Sequence, residues 1–137
     1  LRNAVNDLKL ANLIMREYKI NNDEMLLEHV SYSIQQCTEK YLKHLIEVNG
    51  GEVVRTHDIT ELLEHCDELN IPHGLEYIPS KSRILTRWNI TTRYPIKHKN
   101  NIDVATYSLS ELNRVVMDVV DNYSGIETIG MTNIFKL

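Results

Sequence analysis

The sequence predicts an all-α fold of four or five helices, and three observations carry that expectation. Apolar residues recur at three- and four-residue intervals along most of the 137-residue chain, which is the spacing of one helix face. Turn formers at Asn21-Asn22-Asp23, at Asn49-Gly50-Gly51 and around Pro72, Gly74 and Pro79 cut those stretches into helix-length pieces. Two capping-box patterns, Asp58 with Glu61 and Ser108 with Glu111, sit ahead of apolar periodic runs.

Leu1, Ala4, Val5, Leu8, Ala11 and Met15 form the first apolar stripe, and that helix is expected to stop near Tyr18. Asp23 then starts a long second helix that runs to Asn49-Gly50-Gly51, where glycine supplies a left-handed C-terminal cap. Its core stripe is Leu27, Val30, Ile34, Cys37, Tyr41, Leu45 and Val48. A short segment with Val53 and Val54 leads to Asp58, whose carboxylate can accept first-turn amides of a third helix ending near Leu69. Residues 80 to 92 read as weakly helical around Ile84, Leu85 and Trp88. From Arg93-Tyr94-Pro95 a polar loop follows through Lys97, His98 and Lys99, because the residue before proline is pushed out of the helical basin. Ser108 is expected to cap a last helix of about four turns carrying Leu112, Val115, Val116, Val119, Val120 and Tyr123 on its core face. Residues 124–137 are expected to be an irregular or short extended tail.

The length suits one domain and supports a hydrophobic core without staples. A net charge of −4, with basic residues dispersed, lacks the basic stripe of a duplex DNA binder, so only a local patch could bind nucleotide or RNA. Cys37 and Cys66 have no metal or C-x-x-C spacing, so free thiols in a reducing cytoplasm are the simplest account. His29, His44, His65 and His73 lack ligand spacing and read as surface or packing residues, so no metal and no cofactor is expected. The chain shows neither an apolar run of the roughly 18 residues that span a bilayer nor a charged-then-apolar leader, which gives a cytoplasmic expectation without membrane contact. It opens at Leu1 instead of methionine, in keeping with a piece of a longer product.

Candidate chemistry lies on the second helix. His29, Ser33, Gln36, Lys40 and Lys43 fall on a polar stripe beside the core stripe, and Glu39 stands one turn before Lys43, where the two can pair. Lys40 and Lys43 are suited to contact phosphate as point charges, with Arg55 and His57 beside them if the third helix packs close. A solvated face with an ordinary ion pair has the same spacing. His57-Asp58 reads most simply as a helix-start pair, and Trp88 as a core residue flanked by solvated Arg83 and Arg87.

Gln36-x-x-Glu39-Lys40-x-x-Lys43 on a long second helix, then Arg55-Thr56-His57-Asp58 and Arg93-Tyr94-Pro95 before a terminal helix, together resemble the HEPN (higher eukaryotes and prokaryotes nucleotide-binding) family over residues 1–123. The resemblance implies an all-α, up-and-down antiparallel bundle of four or five helices that commonly pairs as a homodimer and, in prokaryotes, is often encoded beside a minimal nucleotidyltransferase as a toxin–antitoxin partner. It implies nucleotide or phosphate binding at Gln36, Lys40, Lys43, Arg55 and His57. Some relatives are metal-independent ribonucleases with an Arg-x4-6-His motif, and Arg93 and His98 are the one literal match here. In that alternative Arg93 would stabilise phosphate charge and His98 would move protons. Tyr94, Pro95 and Asn100 depart from the ribonuclease pattern, so the sequence looks more like the family's non-nuclease branch. A third reading is a non-catalytic dimerisation domain.

Overall fold

A computed structural model describes residues 1–52, 55–91 and 102–122, and these are helical wherever they form regular structure. Among the described residues, five helices of ten or more residues make the bundle, with one four-residue turn of helix between the third and the next long one. The segment at Val53 and Val54, the loop with Arg93 to Lys99, and the tail 124–137 lie outside the described residues.

Helix α1, Arg2–Asn21, runs past the expected stop at Tyr18 because the Asn21 side chain still donates back to the Glu17 carbonyl. Asn22 is the residue that turns left-handed, at φ 54, and its amide closes on the Tyr18 carbonyl. This is the short polar residue best able to occupy that region without glycine's freedom. Asp23 caps α2, Glu24–Val48, by accepting the Met25 amide at 2.9 Å. Beyond the helix, Gly50 supplies the positive φ of 83° and the Gly51 amide returns to the Ile46 carbonyl at 2.8 Å.

α1 and α2 form an antiparallel hairpin: the start of α1 lies by Glu47 at the end of α2, and Asp7 meets Lys40. All of the expected α1 stripe from Ala4 to Met15 is buried. On α2 the stripe from Leu27 to Leu45 is buried, whereas Val48, beyond the last packed turn, is 56% exposed. Full burial of each large aliphatic chain stabilises the fold by roughly 1.5–3 kcal/mol, and Leu8, Ile34, Leu42 and Ile46 are all enclosed.

The chain after α2 doubles back along it, so that α3, Ile59–Glu68, begins beside Gln35 and Glu39. Asp58 caps α3 through the Thr60 and Glu61 amides, as its sequence context predicts. The reciprocal half of the expected box differs. Thr56, two residues earlier, takes the Asp58 amide at 3.0 Å through its hydroxyl oxygen. Helix α5, Ser82–Thr91, is locked to the start of α3 by the Ile59 amide on Thr86 Oγ1 and by the Thr60 and Ser82 hydroxyls 2.7 Å apart. Trp88 is in the core, at 3% exposure.

The last helix corrects the capping-box reading. α6 spans Ile102–Asn122, so Ser108 and Glu111 lie inside it and are buried. The Glu111 carboxylate accepts instead from the amides of Glu76, Tyr77 and Ile78 at the start of α4, Tyr77–Ser80. Pro79 follows, and its missing N–H leaves no orphan donor at that position.

Candidate functional site

Helix α2 is packed by α1, α3, α5 and α6, so part of its polar side is interior. Ser31, Ser33, Gln35, Thr38 and Glu39 are all buried, and such groups need partners to offset lost hydration. One such network centres on Glu39. Its Oε1 accepts from Gln35 Nε2 at 3.0 Å and stands 3.0 Å from His57 Nδ1, while Oε2 accepts from Lys43 Nζ at 3.0 Å. The Gln36 amide donates to Gln35 Oε1 at 2.6 Å and to Asn89 Oδ1 at 3.3 Å, tying α5 to the same cluster.

Burial raises the Glu39 pKa, but hydrogen bonds from His57, Lys43 and Gln35, with the Lys43 charge, outweigh it and hold the carboxyl below its ordinary value. Glu39 is therefore an ionised acceptor, which makes Nδ1 the protonated nitrogen of His57. The imidazole side chain is 69% exposed, against 7% for Glu39, so Nε2 is left for an outside group.

Of the residues expected to bind phosphate, Gln36, Lys43 and His57 meet in this network. Arg55, two residues before His57, is exposed and makes no hydrogen bond or ion pair with another described residue. Lys40 reaches the other way, to Asp7 of α1 at 2.6 Å. Arg93 and His98 lie outside the described residues. Sequence reasoning underrated Gln35 and Glu39 and passed over Asn89 and Asp7. The signal for the first two is the i, i+4, i+8 row Gln35, Glu39, Lys43, displaced by one residue from the Gln36 and Lys40 stripe.

Lys43 and His57 both contact the internal Glu39 carboxylate, and Arg55 stands two residues before His57 in the chain, a basic set suited to an anion. Among the described residues no group of three or more His, Cys, Asp or Glu is arranged to hold a metal. Both cysteines are free and buried, and enclosure pushes their thiols up, Cys66 to about 11, which keeps them from acting as nucleophiles. No described helix is long and apolar enough to cross a membrane.

A family model described as HEPN domain matches residues 1–123 of the chain. No curated protein and no solved structure matches it.

Proposed function

The chain belongs to the HEPN domain family, and from that premise we propose that it is a nucleotide-binding module that takes a phosphate at Lys43, Arg55 and His57. Gln36 borders that patch through Gln35. The module works as a homodimer beside a minimal nucleotidyltransferase, as one half of a toxin–antitoxin-type pair. The observation that carries the reading is the His57 ring, anchored through Nδ1 to the nearly buried Glu39 carboxylate while most of the side chain faces outward. Anchoring of this kind reduces the ordering cost of binding, and the adjoining Lys43 and Arg55 supply the charge for phosphate.

Calorimetric titration with ATP and with GTP tests the proposal. Lys43→Ala and Arg55→Ala each weaken binding about tenfold, the scale of one charge-assisted contact, and added salt weakens it in the unaltered protein. Lys40→Ala is the arm that decides whether the site reaches α1: a weakened nucleotide affinity extends it there, an unchanged one confines it to the Glu39 side. Affinity unchanged in both Lys43→Ala and Arg55→Ala overturns the site.

A further inference from the structure

On the opposite flank of α1 from Lys40, α1 and α6 leave an open groove of about 660 Å³. Its deep wall includes Met15 and Leu109, both nearly buried, with Met117 and the 41% exposed Leu13 beside them. Across it, Asn12 and Asn113 exchange reciprocal amide hydrogen bonds of 2.8 and 3.0 Å, which satisfies both side chains and fixes the separation of the two helices. Lys9, Arg16 and Lys19 line the α1 side, and no carboxylate lines the groove among the described residues. The apolar surface does not end there: Ile20, one heptad on from Leu13, is 70% exposed, and Leu10 is 47% exposed.

We propose that this groove is the docking site for an acidic amphipathic helix of a partner protein, its apolar face on Leu13, Leu109 and Met117 and its carboxylates on Lys9 and Lys19. The charge of its described lining is one-sided, with Lys9 and Lys19 toward its two ends, so an acidic segment gains and a basic one is repelled. The span fits too: Lys9 to Lys19 covers about 15 Å of α1 at 1.5 Å per residue, two to three turns of a docked helix. A small molecule filling the groove would leave Leu10 and Ile20 in water. A second copy docking groove to groove brings two basic rims together, since a twofold interface presents the same patch on both sides. Single-stranded nucleic acid stacks its bases on aromatic rings, and none of the described residues lining this groove is aromatic.

The inference rests on the partner-binding half of the proposal above and uses none of the residues of its nucleotide site. Failure of one experiment therefore leaves the other untouched. The probes are two fluorescein-labelled 20-residue peptides with leucine at the a and d positions of each heptad, one with glutamate and one with lysine at e and g, and a 12-nucleotide oligouridine. Fluorescence anisotropy is expected to show the glutamate peptide binding at least tenfold more tightly than the lysine peptide. Lys9→Glu/Lys19→Glu is expected to reverse that order, and Leu13→Asp to abolish binding of both, with circular dichroism reporting an intact fold in each. Equal binding of the two peptides, no binding of either, an unchanged order in the double variant, or oligouridine binding that the double variant abolishes would overturn the proposal.

Discussion

Glu39 Oε1 and His57 Nδ1 stand 3.0 Å apart, joining the middle of α2 to the loop that opens α3. The contact couples the fold to the candidate site, because the same carboxylate also holds Gln35 and Lys43. Glu39→Gln keeps the shape and removes the charge. Its folded-state pKa is held below the ordinary carboxylate value, so its contribution to stability is complete above that value and is lost as pH falls through the lower, folded one. Urea denaturation from pH 6 down to pH 3 is expected to show the wild type losing stability more steeply than Glu39→Gln below about pH 4.3. Parallel curves would remove Glu39 as a source of acid sensitivity.

Tyr41 is expected to govern the alkaline side. Burial, followed by the nearby Asp118, pushes its phenol up to about 12, while its hydroxyl donates to the His73 carbonyl at 2.7 Å. Tyr41→Phe loses that bond and strands a carbonyl, costing on the order of 1 kcal/mol at pH 7. A raised folded-state value means the phenol's contribution is full below the ordinary value near 10 and fades as pH rises toward 12. The stability gap between wild type and Tyr41→Phe therefore narrows over that interval. A gap constant from pH 7 to 11 would refute the assignment.

Gly50 and Gly51 are required for different reasons. Gly50 sits at φ 83 with open space around it, whereas a Cβ on Gly51 would meet Ile46 Cγ2 at 2.7 Å and Leu69 Cδ1 at 2.9 Å. Gly50→Ala costs about 1–2 kcal/mol of left-handed strain, and Gly51→Ala about 1–3 kcal/mol of overpacking. Adding Leu69→Ala, at a side chain 42% exposed, recovers part of the second loss and none of the first. Double-mutant cycles by chemical denaturation read the difference.

Helix periodicity made the bundle legible, because the burial of the α1 and α2 stripes follows local spacing that the sequence displays directly. The candidate site was legible only in part. Gln36, Lys43 and His57 do gather, but the organising carboxylate, Glu39, draws its meaning from a chain that doubles back 18 residues later. Lys40 and Lys43, three residues apart, diverge because α1 presents Asp7 to one while Glu39 takes the other. Local spacing cannot separate two lysines whose partners arrive from different helices.

Ser108 and Glu111 give the sharpest case of a local pattern overruled by tertiary structure. As a capping box, Ser108 would accept a first-turn amide and its loss would cost about 1 kcal/mol. Inside α6 its buried Oγ has no hydrogen-bond partner, so Ser108→Ala is expected to be neutral or slightly stabilising. Glu111, 8% exposed, accepts three consecutive amides from residues 76–78, an arrangement in which an ionised acceptor is worth more than a neutral one. Glu111→Ala strands those donors and is expected to cost on the order of 3 kcal/mol, with Glu111→Gln intermediate. Hydrogen exchange provides the local readout: the Tyr77 and Ile78 amides lose protection in Glu111→Ala and keep it in Ser108→Ala. If Ser108→Ala proves the more damaging substitution, the helix begins at Ser108 and the contact between Glu111 and α4 is not what holds that turn.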